Sequence, residues 1–356
     1  MITTAEPLNE LIVEIAGIDR IAIDTEADSL HCYFEKLCLI QLSVPGRDVL
    51  IDPLAGFSIN AFCDELARHE LIIHGADYDL RLMARAGNLK ATRVFDTMLA
   101  ARLTGRTEFS LAALLSANFG VTLTKQSQKA NWAMRPLPPQ MLEYAIKDTQ
   151  YLLPLAQLLE EELRASQRWE WFQQSCVKAI ASAAAVRIKD VANAWRISGS
   201  SDLEGRASAV LCALWHWRDA EARSGDRPAF HILHNEQLVL CARAYDMGEA
   251  VVPRHLTGSR RNRFMAAAEQ ALNLPESEWP QPIKKARIRA TAEQQRLFNH
   301  YKTERDRAAR ELGLDPSIIA PKATLEAIAF DERLISEKLM TWQCDLLGLR
   351  SDLGTG

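Results

Sequence analysis

Four short apolar runs crowd into the first seventy-five residues, and they constrain the fold more than any other feature. They are Arg20-Ile-Ala-Ile-Asp24, Leu37-Cys-Leu-Ile-Gln-Leu-Ser-Val44, Asp48-Val-Leu-Ile-Asp52 and Leu71-Ile-Ile-His74. Each is brief, rich in aliphatic residues and bounded by turn formers, so each reads as a buried strand. Pro45-Gly46 supplies the turn between the second and third runs. Asn60 to His69 has helical period, and Asp79 to Ala86 reads as a helix stopped by Gly87-Asn88. Strands alternating with helices predict an α/β layer architecture for this part of the chain.

After these runs the pattern turns helical. Ser110 is placed to cap a helix from Leu111 to Ala117. The Pro136…Pro138-Pro139 cluster ends one segment and starts a helix that continues to about Leu163, with Pro154 expected to kink or break it. From about residue 171 onward almost everything has helical period. Two stretches there resemble each other. Trp217-Arg-Asp-Ala-Glu-Ala-Arg223 leads to Pro228 and Leu238, and Glu304-Arg-Asp-Arg-Ala-Ala-Arg310 leads to Pro316 and Leu325. The spacing suggests two copies of one small helical module, with Pro280-Gln-Pro-Ile-Lys-Lys285 as linker. Chance likeness between two amphipathic helices is the competing explanation.

A chain of 356 residues is long enough for two or three domains. No apolar run reaches a membrane-spanning length, and the start MITTAEPLNE lacks the pattern of a signal peptide. The cysteines at 32, 38, 63, 176, 212, 241 and 344 show no zinc spacing, so reduced thiols in a cytoplasm are expected. The net charge of −4 hides an asymmetry. Residues 1–170 hold 16 Lys and Arg against 23 Asp and Glu, whereas the remainder holds 26 against 23. Such a division suits a chain whose acids hold cations and whose basic half grips phosphates, although ordinary surface charge explains the counts equally well.

Asp24 and Glu26 flank Thr25 at the end of the first strand. Period-two alternation sends both carboxylates to one side, where they repel and need a counter-charge such as a hard divalent cation. A strand running into a polar turn gives the same pattern without any metal. Asp77 and Asp79 lie where the fourth strand passes into a helix, and capping is the commoner use of such acids. Tyr144 and Asp148 share a helix face at i and i+4. Taken singly, the tyrosine reads as core.

As an ordered set the three elements resemble the exonuclease motifs of the DEDD family, in its tyrosine branch, and more narrowly ribonuclease D. The segment from Tyr33 to Ser43, Phe95-Asp96-Thr97 with Ala100-Ala101, and Lys125 through Trp132 and Arg135 to Leu137 are similar to the same family. The two helical modules resemble HRDC domains, clearly over residues 206–275 and more weakly over 291–350. This resemblance implies an RNase H-like exonuclease domain, a mixed sheet with flanking helices, over residues 1–170. A helical linker at 171–205 and all-α HRDC-like domains at 206–280 and 290–352 would follow.

The implied activity is 3′→5′ exoribonuclease, releasing nucleoside 5′-monophosphates with two divalent cations, Mg2+ or Mn2+, and no nucleotide cofactor. By resemblance Asp24 touches both ions, Glu26 and Asp148 complete the first site, Asp79 serves the second, and Tyr144 orients the attacking water. The implied partner is RNA with a single-stranded 3′ end, such as the 3′ trailers of tRNA precursors. Lys125, Trp132 and Arg135 are candidates for the substrate entrance, with structural packing as the alternative. Arg260, Arg261 and Arg263, with Lys284, Lys285, Arg287 and Arg289, are candidates for following an RNA backbone. Two acids at the second motif depart from the pattern. Asp79, directly before Leu80, matches the family's ligand and leaves Asp77 without an assigned role, with Asp77 in place of Asp79 as the alternative ligand. A DNA-directed exonuclease with the same carboxylates and a non-catalytic RNA-binding scaffold are the alternative functions.

Overall fold

Apolar run and sheet position correspond closely in this chain. In the computed structural model, which describes residues 1–123, 129–185, 190–282 and 290–349, the first run becomes the central strand β1 (Arg20–Ala27). It pairs antiparallel with β2 (Leu37–Val44), which pairs antiparallel with β3 (Arg47–Ile51). On its other side β1 pairs parallel with β4 (Glu70–Ile73), giving a mixed sheet of order β3-β2-β1-β4-β5. The fifth strand, β5 (Arg93–Asp96), escaped the sequence reading. Only Val94 and Phe95 are apolar in it, too few to show a period. It forms because β4 offers a free edge, from Glu70 opposite Arg93 to Ile73 opposite Asp96.

Helices cover both faces. Before the sheet is complete come α1 (Ala5–Ile15), α2 (Asn60–Leu66) and α3 (Asp77–Gly87). After it come α4 (Thr97–Leu103), α5 (Leu111–Phe119), α6 (Pro139–Gln150), α7 (Leu152–Ala165) and α8 (Trp169–Ala184). Ser110 caps α5 as expected, accepting the amide of Ala113. The expected break falls between α6 and α7 at Tyr151, three residues before Pro154. Parity along β1 assigns the faces. Ile21 and Ile23 pack with Leu8, Leu11 and Ile15 of α1, whereas Ala22 packs on the opposite side with Leu155 and Leu159 of α7. Asp24 and Glu26 share the parity of Ala22.

The described residues fall into two units. One holds 1–27, 37–123, 129–185 and 290–349, and the other 28–36 and 190–282. In the second unit α9 (Gly205–Ser224) packs with α10 (Ala229–Ile232), α11 (Asn235–Asp246) and α12 (Gly258–Leu272). In the first unit α13 (Ala292–Leu312) packs with α14 (Pro316–Ile319), α15 (Lys322–Phe330) and α17 (Thr341–Leu346), after the single turn α16 (Ile335–Lys338). Its Tyr301, Ile319, Leu325 and Trp342 share one core with Phe95, Leu159 and Phe172. Helix α8, over the first half of the stretch expected as a linker, takes part in this core, and its Trp171 stacks on Trp342 at 4.9 Å.

The internal repeat has a structural counterpart. Arg218 of α9 donates from Nη1 to the carbonyl of Leu233, the residue that ends α10, at 2.9 Å. Arg305 of α13 donates from Nη1 to the carbonyl of Ala320, the residue that ends α14, at 3.1 Å. The same bond ties the long helix to the same short helix in both copies.

Candidate active site

The acids of β1 meet α6. Asp24 and Glu26 project from the sheet face that α6 covers, and Asp148, one turn after Tyr144, points back at them. One carboxylate oxygen from each of Asp24, Glu26 and Asp148 lies within 4.8 Å of the others, and this is the metal-competent cluster among the described residues. Ser43 of β2 bonds Thr149 of α6 at 2.7 Å, which fixes the height of Asp148 over the strands.

Asp79 approaches differently. It is 6 % exposed in the first turn of α3 and accepts a hydrogen bond from Thr25 Oγ1 at 2.5 Å. Thr25 has the odd parity, so it turns to the α3 side of β1 while its neighbours turn to α6. Asp77 instead lies at the solvent edge of α3 and pairs with Arg81. The turn into α3 is held by Asp96, which accepts the amides of Gly75 at 2.9 Å and Ala76 at 3.0 Å and also caps α4 through Met98. Gly75 has φ +79°, and a Cβ there would lie 2.5 Å from Met98 Cε. Thr25 and Asp96 are positioning residues that the sequence reading left without a role. Their parity and their place after a strand were the available signals.

Crowding shifts the ionisation of every acid in the site. Burial, with Asp79, Asp148 and Glu26 beside it, drives the Asp24 carboxyl well above its ordinary range. Glu26 is pushed up to about 9 by burial and by Asp148 and Asp79. Asp148 rises to about 7 through burial, held back by a hydrogen bond from Tyr144. Burial also raises Asp79 to about 6 against the bond from Thr25. The Tyr144 phenol is raised too, by burial and the surrounding carboxylates, so it remains a donor. His74, beside the cluster, is pulled down by burial and bonds Thr97 at 2.9 Å. Asp24, Glu26, His74, Tyr144 and Asp148 line a cleft of about 560 Å3 that does not include Asp79, and no described residue lining it is a lysine or arginine. Hard oxygen donors, mutual repulsion and the absence of any lysine or arginine among the described lining residues fit a divalent cation.

The entrance candidates fare differently. Lys125 lies outside the described residues. Trp132 is 1 % exposed and sits in a core with Leu39, Met141 and Ala145, so it offers no face to a base. Its ring instead backs Tyr144, with centroids 6.1 Å apart. Arg135 spends its donors on Asp52, at 2.6 and 2.5 Å, and on the carbonyls of Cys38, Trp132 and Met134. It clamps the loop before α6 and holds no free fork for phosphate. Arg260 and Arg263 converge on the buried Glu221 at 3.1 and 2.5 Å, which neutralises part of that basic patch. Lys284, Lys285, Arg287 and Arg289 lie outside the described residues.

Comparison with known proteins points to the same family of nucleases. The model of the 3′-5′ exonuclease family matches residues 1–164, and that of the HRDC domain matches 207–245. A ribonuclease D of Musicola paradisiaca is 32 % identical over 251 residues, 68 % of this chain and 66 % of that protein. A ribonuclease D of Desulfotalea psychrophila is 25 % identical over 337 residues, 92 % of this chain and 90 % of that protein. The crystal structure of Escherichia coli RNase D, described as an exoribonuclease involved in structured RNA processing, superposes with a TM-score of 0.70. It covers 98 % of each chain at 24 % identity, which speaks for the fold.

Proposed function

The chain belongs to the ribonuclease D family of 3′→5′ exoribonucleases, and from that premise we propose that it trims structured RNAs with two divalent cations, releasing nucleoside 5′-monophosphates. The 3′ trailers of tRNA precursors are the proposed substrate, and the cytoplasm, where its seven cysteines stay reduced, the proposed location. No described helix is long and apolar enough to cross a membrane. The observation that carries the reading is the cluster of Asp24, Glu26 and Asp148 within 4.8 Å in a cleft lined by no described lysine or arginine.

In this reading Asp24, Glu26 and Asp148 hold Mg2+ or Mn2+, and Asp79 contributes from the α3 side of the strand. When bound, such ions supply charge neutralisation at the scissile phosphodiester and a water of lowered pKa. Tyr144 keeps its proton and donates it as a hydrogen bond, now to Asp148 and, with substrate present, to the attacking water. Trp132 fixes the angle of that phenol, and Thr25 fixes the Asp79 carboxylate. The phosphate backbone enters an acidic cleft because bound cations reverse its local sign.

A 5′-labelled RNA incubated with Mg2+, Mn2+ or EDTA tests the reading. Stepwise shortening from the 3′ end with either ion, release of 5′-monophosphates and no reaction in EDTA are expected. Shortening of DNA alone overturns the substrate assignment, and binding without cleavage overturns the catalytic one.

A further inference from the structure

We propose that the first helical module, α9 to α12, carries a binding site for a nucleotide phosphate at Arg218. This residue is 6 % exposed. Its Nη1 donates to the Leu233 carbonyl at 2.9 Å and to Asn235 Oδ1 at 2.8 Å. Its Nε has no hydrogen-bond partner, and no described carboxylate lies within ion-pair distance of the guanidinium. A buried charge without a counter-charge is costly, and arginine does not escape the cost by losing its proton.

The second module marks what is missing. Arg305 makes the equivalent carbonyl bond, yet its Nε and Nη2 also reach Asp306 Oδ1 at 2.9 and 2.7 Å. The corresponding acid after Arg218 is Asp219, and it is engaged elsewhere. It accepts from Tyr33 Oη at 2.8 Å and faces Arg223 at 3.7 Å. The first copy therefore keeps the framework bond, and Asp219 offsets the burial of the guanidinium only from a distance, without an ion pair.

Arg218 lines a cavity of about 430 Å3 together with Phe230, His234, Asn235 and Glu236. The twelve-residue α11 begins at this cavity, and His234 at its N-cap makes no capping bond, so first-turn amides are available to an anion. Phe230 is 41 % exposed, and the ring of His234 stacks beside it at 6.4 Å. A phosphate on Arg218 and the α11 amides would set its base on Phe230. Glu236 is the opposing charge at the site, and it offers a test that leaves the buried arginine intact. An RNA backbone and a free 5′-mononucleotide share this chemistry.

The proposal deepens the RNA-trimming reading but is tested without turnover, so each can fail separately. The full chain in EDTA is titrated by calorimetry with inorganic phosphate, adenosine 5′-monophosphate and an oligoadenylate lacking a 5′ phosphate. Glu236→Gln is expected to tighten phosphate-bearing ligands by about threefold. Phe230→Ala is expected to weaken the nucleotide ligand by about fivefold or more and to leave inorganic phosphate unchanged. Both responses on the oligoadenylate assign the RNA backbone, and both on the monophosphate assign a free nucleotide. If either substitution leaves the oligoadenylate and the monophosphate alike unmoved, the proposal is overturned.

Discussion

The cleft under α6 and the cavity beside Arg218 are opposite solutions to one electrostatic problem. The cleft gathers carboxylates with no described lysine or arginine lining it, and the cavity is lined by a guanidinium with no described carboxylate in ion-pair range. Other buried charges among the described residues are paired, as Arg135 with Asp52 and Glu221 with Arg260 and Arg263 show. Folding alone gains nothing from leaving charges unpaired, so the exceptions mark where something else is meant to bind. The two differ in what the protein can do unaided. Carboxylates take up protons and lower their repulsion, whereas the guanidinium stays charged and can only wait for an anion.

Several measurements break or sharpen this contrast. The largest effect is expected from Asp24→Asn, which should lower kcat by about a thousandfold or more, because several ligands serve one transition state. Circular dichroism should find the cation-free variant at least as stable as the parent, since the substitution removes repulsion. A destabilised variant would mean that Asp24 serves the fold instead. Asp79→Asn should cost about a hundredfold in kcat, whereas Asp77→Asn, at the solvent edge, should stay within about twofold. Equal effects would undo the distinction drawn between the two acids. Tyr144→Phe should slow turnover by roughly tenfold while calorimetric Mn2+ affinity is unchanged, because misorientation of water, not loss of a ligand, is at issue.

The pH dependence of stability separates the acids from the arginine. Glu26, Asp148 and Asp79 titrate near 9, 7 and 6 in the fold, all above their ordinary values. The folded state therefore holds more protons than the unfolded one, and its stability falls as pH rises through this window. Melting in EDTA should drop by several degrees between about pH 6 and pH 9, and saturating Mg2+ should flatten the slope. A flat profile in EDTA would show that the acids do not crowd as described. The smallest effect belongs to the second module, where Asp306→Asn should cost about 0.5 kcal/mol in denaturant unfolding, as expected for a half-exposed pair.

Much of this was legible in the residues. Asp24 and Glu26 stand at alternate positions on a buried strand, and Tyr144 and Asp148 stand one helical turn apart. Such short-range periods survive in one dimension, so motif, strand and helix were readable together. Trp132 and Arg135 were not readable in the same way. Stacking on a base and packing behind Tyr144 ask for the same aromatic side chain, and only burial distinguishes them. The arginine likewise looked like a phosphate contact until Asp52, 83 positions away in the chain, was seen to occupy its fork. Strand β5 was missed because four residues carry no period of their own and its pairing is with a distant edge.

The sequence alone pointed to strands alternating with helices at the start, a helical remainder and a repeated helical pattern, whereas the set of acids was singled out by resemblance to the exonuclease motifs. The strand, helix and repeat patterns rest on spacings of a few residues. Tertiary structure decided which of the charges found partners. It set Thr25 against Asp79, gave Asp306 to Arg305 and turned Asp219 toward Tyr33. Compensation of a buried charge depends on groups within a few ångströms in space, whatever their distance along the chain. The repeat therefore shows two similar arginines in sequence, and only the fold tells that one of them is without a direct ion pair.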